Sequence, residues 1–160
     1  QVVFVVTPSA WKAADILKSS GRAVALTGGL WHVENDPISW EEVRTFVPTV
    51  LHEAGIPFSI ASDKSRMGPD KLGYQAAVCV REGIPRATAM AAVTTVPALL
   101  WGMEDRSGAL KVGADGNFVL MDGDPLDISS KVLQVWLRGV QAYDRQSDER
   151  LQRMLEGRNR

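Results

Sequence analysis

The chain is poor in the side chains that most often do chemistry. Its 160 residues include one cysteine and two histidines. A single thiol, Cys79, excludes an internal disulfide, and its apolar helical position points to a buried, inert group rather than a nucleophile. An excess of charge of one sign is missing too. Eighteen basic residues against nineteen acidic ones give a formal net charge of −1, which leaves no electrostatic footprint for nucleic acid. Long hydrophobic runs are also absent. The longest weakly polar stretch, residues 89–103, holds two threonines and a proline and falls short of the ~20 residues a bilayer span needs. A soluble protein is expected, cytoplasmic or periplasmic, with the compartment left open because a signal peptide would lie before Gln1. What remains, 45% apolar and 23% charged residues, is the composition of a globular domain able to bury a core.

Three short apolar runs stand out, at residues 2–6, 23–26 and 57–61. Their unbroken hydrophobicity suits strands buried on both faces of a parallel sheet. Between the first two, Ser9 is placed to cap a helix carrying Ala10, Ala13, Ala14 and Leu17, with Gly21 ending it. Ser39 and Glu42 have capping-box spacing for a further helix. Its Val43, Val47, Val50 and Ala54 recur at helical intervals, and Pro48 must kink or restart it. After the third strand, Leu72, Ala76, Cys79 and Val80 mark another helix closed by Gly83, and Pro85 fits the first turn of the next. Strand alternating with helix argues for an α/β fold. From Ser107 onward the pattern changes to short apolar runs separated by glycine-containing turns, which reads as antiparallel strands. Residues 145–160 read as a charged surface helix and tail, with Leu151, Met154 and Leu155 as its apolar stripe.

Three linked motifs follow one another in the second half. Thr94-x-x-Pro97-Ala98-x-x-x-Gly102 comes first, then Gly108-x-Leu110-x-x-Gly113, then a strand ending in Asp122-Gly123-Asp124-Pro125. Pro97 is expected to start a short helix that Gly102 closes, and Gly108 and Gly113 to free the backbone at the ends of a strand. In this order the motifs resemble the amidohydrolase superfamily, the imidazolonepropionase-like and prolidase-like metal-dependent hydrolases, and the resemblance extends from about Val2 to Asp144. It implies an α/β fold in which the last strand-helix units of a (β/α)8, TIM-like barrel are followed by part of a small β-sandwich. The implied divisions are residues 1–104 for the barrel part, 105–144 for the sandwich strands of a composite domain, and 145–160 for the charged helix and tail. A closed barrel usually takes about 250 residues, so the chain looks like the C-terminal portion of something longer, inactive alone, whose partner is the missing N-terminal part of the barrel. A homo-oligomer is a further alternative, and no nucleic-acid or membrane partner is expected.

The resemblance implies a hydrolase acting on carbon–nitrogen bonds other than peptide bonds in a small-molecule substrate, a cyclic amide or peptide-like compound, through metal-activated water. The divalent metal would be zinc first, or none if the site is degenerate. Asp63 follows a buried strand at its carboxyl end, where the family's last barrel strand carries a metal-binding aspartate that also moves protons. It is the residue assigned both the catalytic and the metal-binding role; read without the resemblance, an aspartate there is a turn or helix cap. Lys64 and Arg66, with Ser65 between them, line the loop after it as substrate contacts. His32 lies in a loop at the same end and is a further substrate contact, or an ordinary exposed histidine. His52, near a helix C-terminus, suits a structural role beside the helix dipole. Gly28 and Gly29 are able to cradle an anion or simply to turn the chain. Trp31, Trp40 and Trp101 are able to line a pocket or to pack. Asp115, Asp122 and Asp124 look like a cation cluster, but their glycine and asparagine neighbours favour turns. One departure stands out. Where related sequences place His-Gly at the end of the first strand, this chain has Val6-Thr7, and valine offers a metal no lone pair. An alignment slip, a mononuclear site and a lost site each account for it. The alternative function is therefore a catalytically inactive amidohydrolase-like domain serving as a structural or binding module.

Overall fold

A computed structural model describes residues 2–62 and 71–157. Strands β1 (Phe4–Val6), β2 (Val24–Leu26) and β5 (Phe58–Ile60) form a parallel sheet in that order, with Val24 aligned to both Phe4 and Phe58. All three expected strands are present, but β1 is not buried: Phe4 and Val6 are half-buried and Val5 is exposed. Val24, Leu26, Phe58 and Ile60 share one face of the sheet and are buried, while on the other face Ser59 is buried, Ala25 is half-buried and Val5 is exposed. Parallel neighbours need crossovers. The first runs through a 3-10 turn at Pro8–Ala13 and helix α1 (Ala14–Ser19). Gly21 ends that stretch at φ +63. Ser9 does not cap it: the cap position is Thr7, and Ser9 sits inside the turn, because Pro8 sets φ for a helical start two residues earlier.

The second crossover differs from the sequence expectation. Residues 39–46 do not begin a helix. Strands β3 (Trp31–Asn35) and β4 (Glu42–Phe46) form an antiparallel hairpin with Trp31 opposite Phe46 and Asn35 opposite Glu42. Helix α2 starts only at Val47 and runs to Glu53, with Pro48 in its first turn. The aromatic and β-branched residues Trp31, Val33, Val43, Thr45 and Phe46 favour a pleated surface, and cross-strand partners settle what the local spacing left ambiguous. The hairpin loop is closed by Asp36, whose Oδ1 accepts from the Ile38 and Ser39 amides at 2.8 Å. Ser39 thus serves a turn and caps no helix.

Helices α3 (Leu72–Arg81), α4 (Arg86–Ala91) and α5 (Thr95–Leu100) then cover the sheet. Their apolar faces join Val47, Leu51, Ile56, Ile84 and the sheet residues in one core that includes Ala76, Cys79, Ala89 and Ala92. Pro85 occupies the cap position of α4 rather than its first turn. Pro97 does not start α5, which already includes Thr95 and Val96; the break falls at Thr94, at φ −129 and ψ −78. Within the first turn an amide would have no helical partner, so proline costs nothing there.

No strand forms around Leu110 and Val112, contrary to expectation, and both side chains are exposed. Gly108 instead presses residues 107–109 against the start of α5. It has φ +88, and a Cβ there would lie 2.7 Å from Ala98 Cβ and 2.8 Å from the Thr94 carbonyl oxygen. The antiparallel sheet begins later, with β6 (Phe118–Met121), β7 (Val132–Leu137) and β8 (Val140–Asp144) in sequential order. Helix α6 (Glu149–Gly157) follows and buries no residue, in keeping with its charged sequence. No helix among the described residues is long and apolar enough to cross a membrane.

Candidate functional site

The parallel order of β1, β2 and β5 sends three connections out from one end of the sheet, the carboxyl end. Thr7 and the 3-10 turn leave β1, Thr27 to Leu30 lead from β2 into the hairpin, and Ala61 and Ser62 leave β5. Side chains from separate connections meet there. This is the face where barrel-type active sites form.

His32 lies at this end but not in a loop. It is the second residue of β3, and its Nε2 is 3.1 Å from Glu34 Oε2. The two side chains share a strand face because they are two residues apart. Lys12, carried on the 3-10 turn after β1, donates to the same Glu34 oxygen. That hydrogen bond, followed by the one from His32, holds the Glu34 carboxyl below its ordinary range. Trp11 completes the group. Its ring centroid is 6.2 Å from that of His32, and its buried Nε1 has no hydrogen-bond partner.

A cavity of about 390 Å³ lies against the other face of the hairpin, the one that carries Trp31 and Val33. Its walls include Gly28 and Gly29 after β2, Trp31 and Arg44 from the hairpin, Ala61 after β5, and Gln75 and Arg81 from α3. Gln75 is only 4% exposed, and its Nε2 has no partner. The Arg44 guanidinium stands over the Trp31 ring at 5.3 Å. Both glycines have positive φ, so they turn the chain and line the cavity at once.

Of the residues singled out from sequence, Asp63, Lys64 and Arg66 lie outside the described residues. His52 falls in the last turn of α2, which runs back toward the amino end of β5, away from this face. Trp40 and Trp101 are exposed, whereas Trp31 packs on Phe46 at 4.8 Å and lines the cavity. The aspartates form no cation cluster. Asp115 pairs with Arg106 at 2.8 Å, Asp122 accepts from the Lys131 amide at 2.7 Å, and Asp124 pairs with Arg86 at 2.6 Å. Among the described residues no group of three or more His, Cys, Asp or Glu side chains is placed to hold a metal. His32 and Glu34 offer two donors, one of them neutralised by Lys12, and do not make a metal site by themselves. Cys79 is buried, which pushes its thiol pKa up to about 12, and takes no part.

Sequence reasoning missed Lys12, Glu34, Arg44 and Gln75. The signal for the first two was the i, i+2 spacing of His32 and Glu34, which is informative only once 31–35 is read as a strand. Nothing in the local sequence marks Gln75, which sits on the apolar face of its helix.

The sequence profile described as the amidohydrolase family matches residues 40–143. The amidohydrolase tasK of Hapsidospora irregularis is 34% identical over 95 residues, which is 59% of this chain and 10% of that protein. An amidohydrolase from Thermotoga maritima MSB8 superposes with a TM-score of 0.72 at 23% identity, covering 88% of this chain and 37% of its own. The beta-aspartyl dipeptidase of Fervidobacterium islandicum AW-1, solved with a beta-Asp-Leu dipeptide, gives a TM-score of 0.60 at 18% identity, covering 88% and 39%. These structural likenesses speak for fold. The chain spans about a tenth of the curated relative and about two-fifths of the solved ones.

Proposed function

Because the chain belongs to the amidohydrolase family, we propose that it is the C-terminal portion of a hydrolase that cleaves a C–N bond in a cyclic amide or peptide-like small molecule. In this reading β1, β2 and β5 are the last strands of a (β/α)8 barrel, residues 1–104 complete that barrel, and 105–144 supply sandwich strands to a composite domain. The exposed side chains of Val5, Phe118, Val119 and Leu120 are then faces covered by the N-terminal part. The observation that carries the proposal is positional. The matched region spans Asp63, which follows the carboxyl end of the buried strand β5 by three residues.

Asp63 is the proton carrier of this reading. A carboxylate beside the reacting atoms takes the proton from the attacking water and returns it to the leaving nitrogen. A divalent metal, zinc first, supplies activated water when bound. Asp63 is the single ligand assigned to this chain, and the remaining ligands belong to strands outside it. Lys64, Arg66 and His32 are the assigned substrate contacts. Lys12 and Glu34 fix the His32 ring, since the carboxylate that accepts from it is itself held by the ammonium.

In the intact parent protein, Asp63→Asn should lower kcat at least a hundredfold with the fold unchanged. Full activity and full metal content in that variant would rule the assignment out. The second reading is an inactive domain used as a structural or binding module. It is favoured by Val6, which packs against the hydrophobic core at the end of β1 where a histidine ligand was expected. A stoichiometric divalent ion in the intact protein would count against that module.

A further inference from the structure

We infer that His32 presents an unprotonated Nδ1 as a hydrogen-bond acceptor for an N–H group of the substrate, with Glu34 as the positioning residue that sets this tautomer. The inference rests on the hydrolase reading, in which His32 is a substrate contact. It deepens that reading by asking for a substrate with an N–H donor, which a secondary amide or a lactam has and a tertiary amide lacks.

The first step is the charge on the partner. Glu34 accepts from Lys12 and lies 3.1 Å from His32 Nε2. The ammonium, and then the imidazole, hold its carboxyl below the ordinary range, so it is ionised at neutral pH. An ionised carboxylate can only accept. The second step follows from that, because the ring nitrogen facing the carboxylate must carry the hydrogen. In a neutral imidazole one nitrogen donates and the other accepts, so a proton fixed on Nε2 leaves Nδ1 with its lone pair. The third step is access. The His32 side chain is 17% exposed. No hydrogen bond among the described residues reaches Nδ1, and it is not sealed in the interior without a partner, as Trp11 Nε1 is. A ligand can therefore meet it. The ring is also held in place, with the Trp11 ring tilted at 58° against it. Lys12 and Trp11 come from the turn after β1 and His32 and Glu34 from the hairpin, so two separate connections at the carboxyl end of the sheet fix one acceptor.

The test uses the intact parent protein, labelled with nitrogen-15 at histidine and stripped of metal with a chelator so that no ion competes for the lone pair. The His32 signals are identified by their loss in His32→Gln. At pH 9, well above the ~6.5 at which a free imidazole side chain titrates, Nε2 should give the signal of a protonated nitrogen and Nδ1 that of an unprotonated one. 2-Pyrrolidinone, a lactam with an N–H, should shift the Nδ1 signal on titration. It should bind about fivefold or more tightly than N-methyl-2-pyrrolidinone, the worth of one hydrogen bond. Glu34→Gln should populate both tautomers and erase the preference, because a carboxamide can donate as well as accept. Lys12→Met leaves the carboxylate in place and should keep Nε2 protonated. A proton on Nδ1 in the wild type, no shift at Nδ1 with either lactam, or equal affinity for the two would overturn the inference. So would a Glu34→Gln variant with a lower melting temperature but an unchanged tautomer and lactam preference, since the cluster would then only pin the hairpin. If Glu34→Gln does not fold, the wild-type signals and the two lactams still decide. The hydrolase reading is judged separately, by activity and metal content. A locked tautomer and a lactam preference in a protein that hydrolyses nothing support the role of His32 and sink that reading; a hydrolase with a protonated Nδ1 does the reverse.

Discussion

Gly108→Ala should destabilise the protein far more than the same change at Gly113, although both glycines belong to one motif and have nearly the same backbone angle. Gly108 has φ +88 and Gly113 φ +87. A side chain in that region costs ~1–2 kcal/mol at either position. The surroundings differ. At Gly113 a new Cβ meets nothing within 4 Å. At Gly108 it meets Ala98 Cβ at 2.7 Å, the Thr94 carbonyl oxygen at 2.8 Å and Thr95 Cα at 3.1 Å. None of these atoms is the free end of a flexible side chain, so relief requires residues 107–109 to lift away from α5. Overpacking of this kind costs a further ~1–3 kcal/mol. The expected totals are therefore ~1–2 kcal/mol for Gly113→Ala and ~2–5 kcal/mol for Gly108→Ala. Urea denaturation of the intact protein, followed by tryptophan fluorescence, measures both, and the melting temperature should separate by ~2–4 °C for each kcal/mol of difference. Equal losses in the two variants would refute the argument that Gly108 is required for close approach and not only for its turn.

Two further outcomes follow from ionisation. The Glu34 carboxyl is held below its ordinary 4.5, first by Lys12 and then by His32, so the stabilisation it gives the hairpin is complete above 4.5 and fades as pH falls through the lower folded value. Its side-chain NMR titration should show that depressed midpoint, and Lys12→Met should move it back toward 4.5; an unmoved midpoint would mean the Lys12 contact is absent in solution. Cys79, with its thiol pushed up to about 12 by burial, should carry a thiolate fraction of only ~10⁻⁴ at pH 8 and resist iodoacetamide until urea exposes it. Rapid alkylation of the folded protein would contradict the packing around α3.

The parts of the fold that were legible in sequence are those whose cause is local. Val24, Leu26, Phe58 and Ile60 lie in short apolar runs and share the sheet face that is buried in the core, and a run of that kind is visible in a short window. Helix α3 was legible for a similar reason, since Ala76 and Cys79 repeat along one buried face and Gly83 stops the chain at φ +94. Pro97 misled because proline marks a helical first turn without saying at which of its positions it sits, and Thr95 and Val96 were already helical. Leu110 and Val112 misled in another way. Their alternation imitates a strand, but both side chains face solvent, and the segment is fixed by what Gly108 touches, a contact made across the chain.

The β3–β4 hairpin shows why the site was less legible than the scaffold. Val43, Val47, Val50 and Ala54 are spaced as a helix would space them, and the second half of that run is one. The first half is claimed by partners nine or more residues upstream. Glu34 pairs with Val43 and Trp31 with Phe46, and no window over 39–54 contains those residues. Once the pairing is known, the chemistry follows from geometry. Period 2 puts His32 and Glu34 on one face, the parallel crossover from β1 brings Lys12 to the same carboxylate, and the return strand delivers Arg44 to the cavity wall. Each of these residues is ordinary in sequence, a lone histidine or an exposed charge. They are brought to one end of the sheet only by connections that leave that end. The site is therefore a property of the topology, and its residues carry no shared sequence mark by which they could have been grouped beforehand.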